Sequence, residues 1–264
     1  MNKIAFPALG LEFNIDRIAV EIPFLGGVYW YGIIIGLGII LAVLYCSQVA
    51  KRENEKQDTI IELLLWALPI SIICARTYYV AFEWESYRNS PMDIFKIWEG
   101  GIAIYGAIIG AVITAYVYLK VKKLNILKLF DICCMGLMIG QIVGRWGNFV
   151  NAEAYGGYCD FFWGMSINGK PPVHPTFLYE SLWNLLGFII ISRLHKKRPF
   201  YGYTFFTYLS WYGVGRFFIE GLRTDSLYIG PFRVSQLVAI FCVVAGIYAL
   251  HYLLEKNEMK KLVS

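Results

Sequence analysis

The densest chemistry in the chain lies in Gly144-Arg145-Trp146-Gly147-Asn148-Phe149-Val150-Asn151-Ala152-Glu153-Ala154-Tyr155-Gly156, where an arginine, two amides and a carboxylate follow an apolar run. A guanidinium there offers a two-pronged donor to phosphate. The amides Asn148 and Asn151, with the main-chain N–H groups, can orient a head group. The plainer reading of the same residues is a lipid anchor without catalysis. A second set is Tyr212, Arg216, Glu220 and Arg223, spaced four, four and three residues apart. At about 100° per residue these share one narrow helix face. An Arg216–Glu220 pair could simply solubilise a helix end, but Tyr212 and Arg223 lengthen the stripe, and Gly213 and Gly215 permit close approach beside it. A third set, Thr176, Glu180 and Asn184, recurs every fourth residue behind His174-Pro175. Proline suits a first helical position, which leaves His174 at a helix mouth as either cap or catalyst.

The elements that carry these groups follow from composition. Of 264 residues, 58% are hydrophobic and only 16% charged, against about 25% charged in soluble domains. Mean hydropathy is +0.53. A soluble fold of this size lacks the polar surface to cover so much apolar material. A cytosolic enzyme, a disordered chain and a nucleic-acid-binding domain are therefore excluded, and the net charge of +5 reads as membrane-topology control. The expected fold class is all-α, a polytopic integral membrane protein forming one membrane-embedded domain over residues 1–264.

A span needs about 20 apolar residues, fewer where a helix is broken. Seven runs qualify: Val28–Val49, Thr59–Phe82, Gly101–Leu119, Leu129–Val143, Phe177–Leu194, Tyr203–Ile219 and Val234–Leu254. The fourth is short and runs into the Gly- and Asn-rich stretch. Residues before Val28 are expected along the membrane surface. Lys51, Arg52 and Lys56 follow run one, and Lys120, Lys122, Lys123 and Lys128 follow run three. Arg193, Lys196, Lys197 and Arg198 follow run five, and Lys256, Lys260 and Lys261 follow run seven. The positive-inside rule then puts the C-terminus in the cytoplasm and the N-terminus outside. Segments 83–100 and 145–175 face outward, as does the chemistry they carry.

Other polar and aromatic groups are less decisive. Trp30-Tyr31-Gly32 opens the first run as aromatic belt or as site. Trp98 to Gly106, with Tyr105, enters the third run as belt, helix-packing or site residues. Arg76 within the second run calls for a carboxylate partner. Cys46, Cys74, Cys133, Cys134, Cys159 and Cys242 show neither CxxC nor Cys/His spacing, so neither zinc nor a disulfide framework is expected.

In Gly144-Arg145-x-Gly-Asn148-Phe-x-Asn151-x-Glu153-x-x-Gly156 the chain resembles the bacterial prolipoprotein diacylglyceryl transferases. Shorter matches follow the family's order: Trp-Tyr31-Gly, Trp-Glu-Gly-Gly, His174-Pro-Thr-x-Leu-Tyr-Glu180 and Gly215-Arg216-x-x-x-Glu220-x-x-Arg223. The resemblance implies a seven-span enzyme at the outer face of the cytoplasmic (inner) membrane. It would move the diacylglyceryl group of phosphatidylglycerol to the lipobox cysteine of a prolipoprotein, leaving a thioether and glycerol 1-phosphate. The nucleophile then belongs to the substrate, and no metal or other cofactor is expected. Arg145 and Arg216 would hold the phosphate and steady the departing anion. Glu153 would orient an arginine or accept the thiol proton. Tyr31, Asn148, Asn151, Gly156, His174, Glu180, Tyr212, Glu220 and Arg223 would complete the lipid-binding set. Tyr105 stands where many members carry His, so a histidine base at that position does not operate here. That role passes to His174 or Glu153, or no strong base is needed, and Tyr105 donates a hydrogen bond. The competing classes are a transporter, whose polar groups should reach both faces, and another phospholipid head-group transferase.

Overall fold

The computed structural model describes residues 1–22 and 26–263. Among them seven long helices follow the apolar runs: α1 Trp30–Arg52, α2 Asp58–Phe82, α3 Ile104–Val121, α4 Ile126–Asn151, α5 Thr176–His195, α6 Tyr203–Leu222 and α7 Val234–Val263. Six of the seven are long and apolar enough to cross a membrane, which supports an all-α, multi-pass membrane protein. The other, α6, is the helix that carries Arg216 and Glu220. Basic residues close α1, α3 and α5 (Lys51 and Arg52, Lys120, Arg193), where they complement the negative end of the helix dipole.

Several expected boundaries shift, and two of the shifts move candidate residues. The third helix starts at Ile104, not Gly101, because Gly100 and Gly101 take φ of +92° and +73°, outside the right-handed helical region. The fourth does not stop at Val143. It runs two further turns through Gly144-Arg145-Trp146-Gly147-Asn148 to Asn151, so the start of the 145–175 segment is helical.

The chain divides into two compact units, Ser47–Leu129 and Met1–Cys46 with Phe130–Ser264. In the first, α2 and α3 meet along Gly106 and Gly110. A β-carbon at either would lie 2.5 Å from the Cys74 carbonyl or 2.8 Å from the Cys74 side chain. Arg76, buried on α2, gives its guanidinium to the carbonyls of Asp93, Ile94, Gly100 and Gly101 at 2.6–2.9 Å. These main-chain oxygens, not the expected carboxylate, are its hydrogen-bond partners among the described residues. The clasp holds the loop leading into α3, and Tyr105 stands half-buried in that helix's first turn.

In the second unit, the segment before α1 is built of strands. β1 (Asn2–Phe6) and β2 (Leu11–Ile15) form an antiparallel hairpin in register Asn2↔Ile15 to Phe6↔Leu11. Gly10 turns it at φ +65°. β3 (Ile18–Ile22) pairs with β4 (Gly26–Tyr29), and β5 (Ser166–Ile167) adds to the outer edge of β1. Alternation along β1 buries Ile4 and Phe6, which join Phe149, Met165, Ile167 and Phe177 in one apolar cluster. The hairpin thus braces the end of α4 and the start of α5. A last hairpin, β6 (Tyr228–Ile229) and β7 (Phe232–Arg233), precedes α7.

The helices of this unit are set by close contacts. α4 meets α1 through small residues: Gly136 lies against Cys46, Gly144 against Ile35 and Gly147 against the Tyr31 ring. Asp131 on α4, fully buried, accepts the N–H groups of Gly202 and Phe205 at 2.8 Å each. It so caps the start of α6 from a neighbouring helix.

Candidate active site

The site begins where α4 ends. The Glu153 N–H returns to the Asn148 carbonyl at 3.1 Å and the Ala152 N–H to the Phe149 carbonyl at 3.0 Å. This is the paired closure of a Schellman motif, but the left-handed position, at φ +52°, holds Ala152 in place of glycine. A β-carbon there costs roughly 1–2 kcal/mol. The tight reversal brings the Glu153 carboxylate back over the helix end. There it accepts hydrogen bonds from the amides of Asn148 (2.9 Å) and Asn151 (3.3 Å). Asn148 in turn accepts from Arg145 at 3.3 Å. Gly147 gives room to the Tyr31 ring, which would stand 2.8 Å from a β-carbon.

The expected stripe on α5 is present and buried: Thr176, Glu180 and Asn184 are 1%, 4% and 3% exposed. Glu180 is the hub. One of its oxygens pairs with Arg145 Nη2 at 2.6 Å, the other with Arg216 Nη1 at 2.9 Å and Arg223 Nη1 at 3.6 Å. A single carboxylate therefore gathers arginines from α4, from α6 and from the residue after α6. Arg216 also meets Glu220 at 2.6 Å, the expected i,i+4 pair. Arg223 departs from the expected stripe. Its ψ of 150° takes it off the helix, where it forms a two-pronged pair with Asp225 at 2.9 and 2.7 Å. That hydrogen-bonded guanidinium holds the Asp225 carboxyl below its ordinary range.

Gly156 ties the ends of the two helices together. Its N–H bonds the His174 carbonyl, the Gly157 N–H bonds the Leu222 carbonyl, and Gly156 bridges to Arg223. A β-carbon on Gly156 would lie 2.7 Å from the side chain of His174 and 2.8 Å from the Leu222 oxygen. Pro175 stands one residue before α5, at its cap. His174 is placed beside that cluster, but its ring contacts Tyr179, with Nδ1 3.2 Å from the phenol oxygen. Tyr105 lies in the other compact unit.

Two features of the site escaped the sequence analysis. Arg233, before α7, donates to the Glu220 carbonyl and to the Tyr228 hydroxyl (2.9 Å). Gln236 takes the Phe217 carbonyl at 3.0 Å, so the last turn of α6 is capped from the chain that follows it. Trp183 on α5 and Trp211 on α6 stack at 4.4 Å. Each indole N–H donates to the other's main-chain oxygen, at 3.0 and 3.1 Å. Gly187 and Gly215, each four residues beyond a tryptophan, make this possible, since a β-carbon on either would fall 2.2 Å from the partner's indole nitrogen. The repeated W-x-x-x-G was the available signal. The clasp fixes α5 against α6 within a turn of both Glu180 and Arg216.

The geometry thus joins the Gly144–Gly156 stretch, the Glu180 helix and the Arg216 helix in one arginine-rich cluster. The family model of the prolipoprotein diacylglyceryl transferases matches residues 17–252, spanning all three. The chain belongs to this family. Curated relatives named phosphatidylglycerol–prolipoprotein diacylglyceryl transferase match along nearly their whole lengths. One from Finegoldia magna is 50% identical over 248 residues, 94% of each chain. One from Bacillus cytotoxicus is 46% identical over 251 residues, 90% of this chain and 92% of the relative. One from Clostridioides difficile is 43% identical over 258 residues, 98% of each.

Proposed function

We propose that the protein transfers the diacylglyceryl group of phosphatidylglycerol to the lipobox cysteine thiol of prolipoproteins. The observation that carries this reading beyond family membership is Glu180 gripping Arg145, Arg216 and Arg223 together. A guanidinium has five N–H donors in a fixed fork. With some of them held by carboxylates, Arg145 and Arg216 keep their planes fixed and turn the remaining donors to a phosphodiester. Such donors steady charge as it develops without reorganising at the moment of reaction.

In the proposed step the substrate's sulfur attacks the terminal carbon of the diacylglyceryl unit. The bond from that carbon to the phosphate oxygen breaks, its electron pair leaves with the oxygen, and glycerol 1-phosphate departs. A guanidinium donor brought within hydrogen-bond reach of the sulfur would raise the thiolate fraction of a thiol whose free pKa is about 8.5. Glu153, exposed at the end of α4, takes the thiol proton. Asn148 and Asn151 hold its carboxylate toward the incoming peptide, and Tyr31 and Tyr212 border the head group. His174 shapes the mouth of α5.

In this reading all seven helices span the inner membrane as a single transferase domain, with the N-terminus outside, the C-terminus in the cytoplasm and segments 83–100 and 145–175 facing outward. The test uses phosphatidylglycerol labelled in its distal glycerol, incubated with the purified full chain and a lipobox peptide. Labelled glycerol phosphate should be released only when the peptide carries its cysteine. Equal release with a Cys→Ala peptide would reject thiol transfer.

A further inference from the structure

Beside the Arg216–Glu180 contact is a cavity of about 10 Å³, bordered by Glu180, Trp183, Asn184, Tyr212, Gly215 and Arg216. A site must offer roughly 10–15 Å³ and two to four polar partners to hold one water-sized group. Here four polar side chains converge. One of them is incomplete: Asn184 is 3% exposed, and among the described residues its buried Oδ1 has no hydrogen-bond partner. An orphaned buried acceptor costs free energy that a matching donor would recover. The donor must be small, and an oxygen-bound hydrogen fits both limits. Asn184 lies one helical turn along α5 from Glu180; of the stripe Thr176, Glu180 and Asn184, only Glu180 belongs to the expected lipid-binding set.

Building on the lipid-transfer reading above, we propose that Asn184 Oδ1 accepts a hydrogen bond from an O–H group seated beside Arg216. The two sources of that group are an ordered water and a hydroxyl of the lipid's glycerol head group. A phosphate held by Arg216 would carry its attached glycerol into the same neighbourhood. A lipid whose alcohol lacks hydroxyls leaves the acceptor unmet. Asn184 is on this account a positioning and specificity residue.

The experiment compares phosphatidylglycerol with phosphatidylpropanol, which has the same phosphodiester and no head-group hydroxyl. Both are presented in vesicles to the full-length wild type, Asn184→Leu and Asn184→Ser, with a lipobox peptide and thermal unfolding recorded alongside. Wild-type turnover of phosphatidylglycerol is the control for the functional reading; its absence would reject that reading and not the role of Asn184. Asn184→Leu should lower kcat/KM for phosphatidylglycerol by about ten- to a hundredfold, the cost of one lost buried hydrogen bond. Asn184→Ser, which keeps an acceptor, should recover most of it. Loss confined to phosphatidylglycerol assigns the O–H to the lipid. Equal loss on both lipids, rescued by Ser, assigns it to a water that orients Arg216. The proposal is overturned if Asn184→Leu stays within about twofold of wild type on both lipids. It is equally overturned if Leu and Ser lose activity alike in step with thermal stability.

Discussion

Replacing Glu180 by Gln removes one charge and nearly preserves shape, so its consequences can be worked from the contacts. The Glu180 side chain is 5% exposed and meets Arg145 at 2.6 Å, Arg216 at 2.9 Å and Arg223 at 3.6 Å. Breaking a buried ion pair by removing one partner costs about 3–5 kcal/mol, because the other charge stays buried and uncompensated. Two features pull toward the lower end. Arg145 is 23% exposed and can rehydrate, and Arg216 retains Glu220 at 2.6 Å. A loss of about 3 kcal/mol is expected, which lowers Tm by about 6–12 °C in a chain of this size. Activity should fall further than stability alone explains. The variant loosens two guanidinium groups together, and one misplaced preorganised donor costs about 10²–10³ in rate. The assay is turnover at a temperature where both proteins are folded, for Glu180→Gln, Arg145→Gln and the double variant. Once the brace is gone Arg145 has little left to lose, so the double variant should be less impaired than the product of the singles, with coupling of at least about 1 kcal/mol. An unchanged Tm with near-normal turnover, or strictly multiplicative losses, would refute the shared brace.

Trp183→Phe keeps the stacked ring but loses one indole donor and should cost about 1 kcal/mol. Gly187→Ala puts a methyl group 2.2 Å from the Trp211 nitrogen and should cost about 1–3 kcal/mol by overpacking; thermal unfolding indistinguishable from wild type in both would dissolve the clasp. The Asp225 carboxyl, held below its ordinary range by Arg223, stabilises the fold above its unfolded value of about 3.9. That contribution is lost as pH falls through the lower folded value. Asp225→Asn should therefore melt below wild type near neutral pH, with the gap closing as pH falls below about 3.9; a gap that persists unchanged in acid contradicts the pairing. In a cysteine-free variant with single cysteines returned to each loop, an impermeant thiol reagent on intact cells should label residues in 145–175 and spare the Lys120–Lys128 loop. The reverse pattern would invert the orientation.

The membrane-spanning character was legible because hydrophobic run length is set by bilayer thickness and survives any packing arrangement. The i,i+4 pairing of Arg216 with Glu220 was legible for the same kind of reason, being fixed by helix geometry. Contacts between helices were not. Glu180 and Arg216 were both visible as buried charges, yet nothing in their spacing says that one carboxylate serves three arginines on separate segments. The run of α4 through Gly144 and Gly147 was hidden because two glycines read as breakers. Their reason is tertiary, the close approach of Ile35 and the Tyr31 ring. Ala152 in a left-handed cap was likewise invisible, since sequence signals for that turn rest on glycine. β1 alternates over only five residues and depends on Phe149, Met165 and Phe177 for its buried face. Arg76 was read as needing a carboxylate because main-chain carbonyls, which satisfy it here, have no sequence signature.

The most direct test of the central claim is the mass of a lipobox peptide after incubation with phosphatidylglycerol vesicles and either the wild-type chain or Arg216→Gln. A diacylglyceryl thioether should form on the cysteine with wild type, and the yield should be lower by about 10²–10³ with the variant at equal folded amount. An unmodified peptide with the wild-type protein, or equal modification by both proteins, would contradict that claim.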